Sequence, residues 1–277
     1  DDDAGVVSGI FHGTHVAGIA AATMDNLRGV AGVAPECTIM PLKAGSGYVI
    51  TQGAEAIIYA YENDAKVINC SWGGSQAASP LEEDAVISAF QAGALVVAAA
   101  GNENVQGAHF PASYHGVLGV ASIKQDNTKA DSNYDTWVDV SAPGYYIYST
   151  YVDDQGNPGY SYAQGTSMAC PMAAGLAALV YTIYPDWPPR YVTIKMQNGC
   201  DNIYDVNPDY IGLLGAGKIN AFKTIGELVP GIVVDTILVD DTQYGDGDRN
   251  PESGETFELI INVENVYQNA NGVFGFL

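Results

Sequence analysis

An α/β fold on a mainly parallel sheet follows from three observations. Strand-like and helix-like segments alternate through the first two-thirds of the chain. That βαβα order places helices on both faces of a parallel sheet, giving three αβα layers. Residues 94–100 and 117–123 form short, nearly continuous apolar runs, as strands do when both sheet faces are covered. Residues 166–184 are mostly Ala, Leu, Met and Val, which suits a helix buried all round.

In chain order, His12 opens a helix of small residues over 13–22, whose alanines and glycines permit close packing. Residues 38–43 read as a strand, 53–61 as a helix and 66–70 as a strand. Ser79-Pro80-Leu81-Glu82 has capping-box spacing with proline at the first helical position, so a helix starts there. Pro171 is compatible with the later helix only in its opening turn or so, where a missing N–H matters little. Composition changes at Glu227-Leu228-Val229-Pro230-Gly231. Beyond it, 232–239 and 256–263 alternate as strands do, around an acidic, Gly-rich loop. The expected division is a domain over 1–229 and, over 230–277, the opening hairpin of a β-sandwich module.

Composition narrows the function. A chain of 277 residues with 47% hydrophobic content can bury a substantial core. The formal net charge of −22, from 32 acidic and 10 basic residues, repels nucleic acid and anionic membrane surfaces. No apolar run is expected to reach the roughly 18–20 residues that span a bilayer. Cys37, Cys70, Cys170 and Cys200 are scattered without zinc-ribbon spacing. The first three lie in apolar segments and read as buried thiols. The chain opens on Asp1-Asp2-Asp3 without an initiator methionine, which reads as a truncated start.

The chemistry concentrates in three places. Gly165-Thr166-Ser167-Met168-Ala169-Cys170-Pro171-Met172-Ala173-Ala174-Gly175 sets one serine at the mouth of the apolar helix. His12-Gly13-Thr14-His15-Val16-Ala17-Gly18 supplies a base, and Ala99-Ala100-Gly101-Asn102 ends a strand on a carboxamide. A serine hydroxyl is a weak nucleophile until a base takes its proton and donors hold the oxyanion it creates. The N–H of Ser167 at a helix start and the side-chain N–H of Asn102 are such donors. Singly, a histidine near a helix start is usually structural and Gly-Asn is usually a turn. Their order and placement make a catalytic set the better reading.

With Gly29-Val30-Ala31-Gly32-Val33-Ala34-Pro35, Val67-Ile68-Asn69-Cys70-Ser71-Trp72-Gly73-Gly74 and Val138-Asp139-Val140-Ser141-Ala142-Pro143-Gly144, these motifs resemble the subtilisin-like serine proteases over residues 5–228. The resemblance implies His12 as general base, Ser167 as nucleophile and Asn102 as oxyanion donor. It implies Gly45, Ser46 and Gly47 on one side and Ser71, Trp72 and Gly73 on the other, as strands flanking an extended peptide. Ala99, Ala100 and Gly101 would wall the pocket for the residue before the scissile bond. A peptide held as an added strand is recognised through its main chain whatever its sequence.

Three departures stand out. Met172 replaces a frequent histidine, with repacking as the expected effect. Trp72 replaces a small or aliphatic residue and narrows an outer subsite. The family's aspartate precedes the histidine on a first strand. Asp1, Asp2 and Asp3 are too near His12 to serve, so this chain is expected to be nearly inactive and less stable, with a bare sheet edge or a gap in its core.

Other enzyme classes fit less well. Asp64 or Asp139 would match the His–Asp–Ser order of chymotrypsin-like enzymes, whose β-barrels do not match this alternation. The α/β-hydrolases need a histidine after the serine, and none follows Ser167. His12 and His15 lack the spacing and glutamate of a zinc peptidase. His109 and His115 read as loop residues. No cofactor is expected for catalysis. A structural Ca²⁺ ion is an expectation at Asp246, Asp248, Asn250 and Glu255, where D-x-D-x-N opens an oxygen-rich loop; a plain acidic turn is the other reading. The functional expectation is a secreted or cell-surface, monomeric serine endopeptidase acting on protein or peptide, with no nucleic-acid partner and no membrane insertion. A pseudoprotease or extracellular peptide-binding module is the alternative. A purely adhesive protein would rest on the tail alone.

Overall fold

A computed structural model describes residues 11–46, 49–75, 78–226, 232–240 and 258–265. The chain divides into two compact units, Asp1–Gly226 and Glu227–Leu277. The centre of the first is a four-stranded parallel sheet of β3 (Val67–Cys70), β4 (Leu95–Ala99), β5 (Leu118–Ile123) and β6 (Val140–Pro143), in that spatial order. Alternation along β4 decides which side chain faces which layer. Leu95, Val97 and Ala99 pack with α4 (Thr166–Ile183) and α5 (Pro189–Asn198). Val96 and Ala98 pack with α2 (Gly53–Glu62) and α3 (Pro80–Gln91). Every residue of β4 and β5 is buried, which is why their sequences are continuously apolar.

Local chemistry sets the helix boundaries. Ser79 Oγ accepts a hydrogen bond from Glu82 N at 3.4 Å and caps α3, with Pro80 at its first position. In α1 (His12–Ala21), Val16 and Ile19 pack on Met168 of α4. Farther along, Gly175 of α4 comes so close to α1 that a Cβ there would lie 3.1 Å from Ala20 O. Early residues thus meet early ones and late meet late, so the two helices run in the same sense with both N-termini at one end. The antiparallel hairpin of β7 (Ile147–Val152) and β8 (Pro158–Ala163) is fastened to α1 by side chains. Ser149 Oγ donates to His15 O at 2.8 Å and Thr150 Oγ1 to Thr14 O at 2.6 Å.

Several expectations change. Residues 38–43 form no ladder among the described residues, and Ile39, Met40 and Leu42 are exposed. A strand needs a neighbouring backbone to share its hydrogen bonds. Instead, a cavity of about 1200 Å³ separates this segment from β3, also lined by α1, α2 and α4. β3 pairs only with β4 among the described residues. Pro171 lies beyond the opening turn of α4. Against the expected lack of any spanning run, α4 is long and apolar enough by length and composition to cross a membrane, with mean hydropathy 1.5, yet 67% of it is buried in protein. Cys70 and Cys170 are buried, whereas Cys37 is only partly so; all four cysteines are free thiols.

In the second unit, β9 (Ile232–Asp240) and β10 (Glu258–Asn265) form an antiparallel pair. The loop that carries Asp246, Asp248, Asn250 and Glu255 lies outside the described residues, as do Gly47 and Asp1, Asp2 and Asp3.

Asp139 ties the sheet to α5. Its Oδ2 accepts from Gly119 N at 2.8 Å and its Oδ1 from Gln197 Nε2 at 3.0 Å. Burial pushes its carboxyl up to about 7, against the opposing pull of the Gly119 N–H. A carboxyl raised on folding contributes stability below its ordinary value of 3.8, and that contribution is lost as pH rises through about 7. His12, His15 and His109, all lowered, titrate with the opposite sign. They cancel when wild type is compared with Asp139→Asn. Chemical denaturation between pH 4 and 8 is therefore expected to show the variant gaining on wild type with rising pH, by at most about 4 kcal/mol; a pH-independent difference refutes this.

Candidate active site

The start of α4 is buried, and its free backbone groups are met by two other segments. Gly165 precedes it at φ +128°, a conformation suited to glycine, and a Cβ there would lie 3.0 Å from Asn102 Oδ1. Asn102 follows Gly101 just beyond β4. Its Oδ1 accepts from Thr166 N at 2.8 Å and from Thr166 Oγ1 at 3.2 Å. Because an N–H must meet an oxygen, these bonds fix the amide orientation. Only the Nδ2 donor remains available. Thr166 Oγ1 also accepts from Gly101 N at 3.1 Å, locking the end of β4 to the helix start.

Ser167 forms a reciprocal pair with Ser71. Ser167 Oγ donates to Ser71 O at 3.1 Å, and Ser71 Oγ donates to Ser167 O at 2.9 Å. The second bond has a cause in the sequence. The carbonyl of Ser167 would normally accept from the N–H four residues on, and that residue is Pro171, which has none. Ser71 supplies the missing donor, and Asn69 Nδ2 donates to Ser71 Oγ at 2.9 Å. The expectation that Pro171 sits harmlessly in the opening turn is thus corrected. It frees a carbonyl that the neighbouring segment uses.

His12 is the first residue of α1, at the same end of the helix pair as Ser167. No hydrogen bond joins the two among the described residues, and the Ser167 hydroxyl rests on Ser71 O. Burial lowers the His12 imidazole below its ordinary 6.5, with the nearby His15 a smaller cause in the same direction. No described carboxylate contributes to that shift. His15 is fully buried, with Nε2 3.1 Å from Ser161 O, so it fastens α1 to β8.

The expected substrate walls are only partly strand-like. Gly45–Ser46 forms β1, already paired with β2 (Val49–Ile50). Ser71, Trp72 and Gly73 carry no ladder, although Gly74 bridges to Phe110. Trp72 is drawn toward α2, where a Cβ on Gly53 would come within 2.7 Å of its ring. Ala99 and Ala100 are 2% and 0% exposed. Phe110, near Gly74, follows His109, which lies in a loop as expected. His109 is 3% exposed, a buried residue of that loop. The Ser71–Ser167 pairing was readable in part, from a proline four residues after the serine. Nothing in the sequence announced His109 or Asn69.

If Ser71 replaces the absent N–H, its value depends on Pro171. Ser71→Ala is expected to cost about 1–3 kcal/mol by leaving a buried carbonyl unsatisfied. The same change should cost less in a Pro171→Ala background, where the substituted alanine restores the N–H. A thermal or urea double-mutant cycle with no coupling between the two positions overturns this account.

Known proteins resemble this chain in sequence and in fold. The chain is 48% identical over 174 residues to the thermophilic serine proteinase of Bacillus sp. (strain AK1), covering 61% of this chain and 42% of that protein. It is 38% identical over 230 residues to thermitase of Thermoactinomyces vulgaris, covering 81% of this chain and 78% of thermitase. It thus spans well under two-thirds of the first relative's length. Among solved structures, a protease from Pseudoalteromonas arctica superposes with TM-score 0.72 at 33% identity, over 77% of this chain and 70% of that one. Fervidolysin of Fervidobacterium pennivorans, described as a keratinolytic enzyme related to subtilisin, gives TM-score 0.72 at 27% identity, over 93% of this chain and 43% of that one. Residues 2–203 match the Subtilase family, Peptidase_S8, and the chain belongs to it.

Proposed function

We propose that this chain is the catalytic part of a serine endopeptidase that cleaves protein or peptide through an acyl-enzyme. Ser167 Oγ leaves its resting contact with Ser71 O and attacks the scissile carbonyl. His12 takes the hydroxyl proton and returns it to the leaving amine. The oxyanion is held by Asn102 Nδ2 and by Ser167 N–H, one of the donors a helix start leaves without an intrahelical acceptor. The observation that carries the reading is the commitment of Asn102 Oδ1 to Thr166. It leaves the amide donor oriented before any substrate arrives.

His12 meets no described carboxylate, so we propose that turnover by this chain is low. The loss expected in such a state is about 10⁴, for which subtilisin is itself the reference case. A secreted, monomeric enzyme is the accompanying reading, in keeping with the acidic composition. A fluorophosphonate probe, which reacts only with an activated serine, tests the chemistry. Labelling is expected to be slow, abolished by Ser167→Ala, and reduced about 10²–10³-fold by Asn102→Ala, again a subtilisin-derived magnitude. Because His12 is lowered, its acid limb should fall below pH 6.5. No labelling of wild type, with the fold intact, leaves the peptide-binding alternative.

We further propose Ca²⁺ binding by Asp246, Asp248, Asn250 and Glu255, an oxygen-only set with glycines for the turn. Calcium titration followed by thermal unfolding should raise the transition of the second unit in wild type but not in Asp246→Asn/Asp248→Asn. An unchanged transition rejects the site.

A further inference from the structure

The hairpin of β7 and β8 turns one face to α1 and leaves the other bare. Odd-numbered positions face inward. Ser149 is fully buried, Ile147 and Ala163 pack beside Val16, Ile19 and Met168, and the Tyr151 ring lies 4.8 Å from that of Phe11. Even-numbered positions carry Tyr148, Tyr160 and Tyr162, which alternation sends to the opposite face. Thr150 is the exception, its hydroxyl reaching Thr14 O. Tyr148 and Tyr162 are directly paired across the ladder, and Tyr146 continues the row just before β7.

The rings form one continuous row. Centroids are 5.9 Å apart for Tyr160 and Tyr148, 4.8 Å for Tyr148 and Tyr162, 6.4 Å for Tyr162 and Tyr146, and 4.7 Å for Tyr146 and Tyr145. Such contacts stabilise a hairpin. They still leave all five residues exposed, Tyr146 and Tyr162 by 64% and 63%. Cross-strand pairing accounts for ring edges that touch, not for five bare ring faces in one row. At one end, Lys124 Nζ lies 5.8 Å from the centroid of Tyr145, so a ring of the row already receives an ammonium group from within the chain. At the other end, Asp153 and Asp154 lie in the turn that joins the strands.

We propose that this row is a docking surface for arginine- and lysine-bearing stretches of polypeptide, whose cationic groups seat on the tyrosine faces. Three features select that partner. The ring face is the negative pole of the aromatic quadrupole, and a planar guanidinium stacks on it. The chain carries a net charge of −22, which draws cationic partners and repels nucleic acid. The two strands, 147–152 and 158–163, hold no charged side chain that would repel a cation or take it first. Tyr162 also stands three residues before Gly165, which precedes α4, and its neighbour Ala163 packs beside Met168. A polypeptide held on the row is thereby kept near Ser167 at raised local concentration. The surface goes beyond the acyl-transfer reading and does not depend on it.

Binding is measured with the full chain carrying Ser167→Ala, so that no peptide is consumed. Fluorescence anisotropy compares a labelled peptide of Gly-Arg repeats with its neutral isostere of Gly-citrulline repeats, at about 0.15 M ionic strength to screen distant charges. The arginine peptide is expected to bind more tightly. Tyr148→Leu/Tyr162→Leu should weaken it ~5–10-fold, whereas Tyr148→Phe/Tyr162→Phe, which keeps both ring faces, stays within ~2-fold of the parent. Tyr146→Leu, outside the strands, gives the same test without touching the ladder, with a loss of ~2–4-fold. Far-UV circular dichroism checks that each variant is folded. Equal binding of the two peptides, or of neither, overturns the proposal, because no cation is then being read. Unchanged binding in the folded leucine variants overturns it in favour of diffuse attraction to an acidic surface. Equal loss in the phenylalanine pair assigns binding to the hydroxyls. Tyrosine-dependent binding of cellohexaose, with none of the arginine peptide, assigns the row to a neutral glycan. Either result overturns the cationic partner.

Discussion

A helix that begins inside a protein leaves polar backbone groups with neither water nor a helical partner, and α4 begins that way. Thr166 is fully buried at its first position. Its N–H goes to Asn102 from the end of β4, and the Ser167 carbonyl, released by Pro171, goes to Ser71 from the end of β3. Each unsatisfied group would cost about 1–3 kcal/mol. The requirement to meet them brings three distant segments to one point. The arrangement that satisfies the backbone is the same one that presents a hydroxyl, an oriented amide donor and a helix-start N–H together.

The layers around this point hold its parts in place. β3 and β4 run parallel, so their C-terminal ends lie on one side of the sheet, where loops can build a site. Ser71 and Asn102 occupy those ends. α4 then crosses the sheet with small residues, Ala169, Ala173, Ala174 and Ala177, against Val97, Val120 and Val140. Small side chains on the helix and branched ones on the strands allow close approach without voids. His12 joins from α1, whose alignment with α4 puts both helix starts at the same end.

The residues proposed for the chemistry and those packed around them come from different parts of the chain. The residues proposed as nucleophile, base and oxyanion donor sit on the ends of secondary-structure elements, where short motifs recur. His109, in the segment between β4 and β5, lies against Asn133 and Glu103.

The alternation of elements, the buried strands β4 and β5, the capped start of α3 and the fully buried α4 were legible in the sequence. Each is a local matter of periodicity or of a cap residue within a few positions. The motifs around Ser167 and Asn102 were legible, whereas Pro171 was read as harmless to the helix. Only the tertiary structure decided that Ser71, 96 residues away from Ser167, supplies the donor that Pro171 lacks. It also decided that residues 38–43 form no ladder among the described residues, and that the loop residue His109 is buried against two glycines. The physical reason is common to all three. Hydrogen-bond satisfaction and steric contact between remote segments depend on which backbones meet in space, and a one-dimensional pattern carries only what a residue shares with its neighbours in the chain.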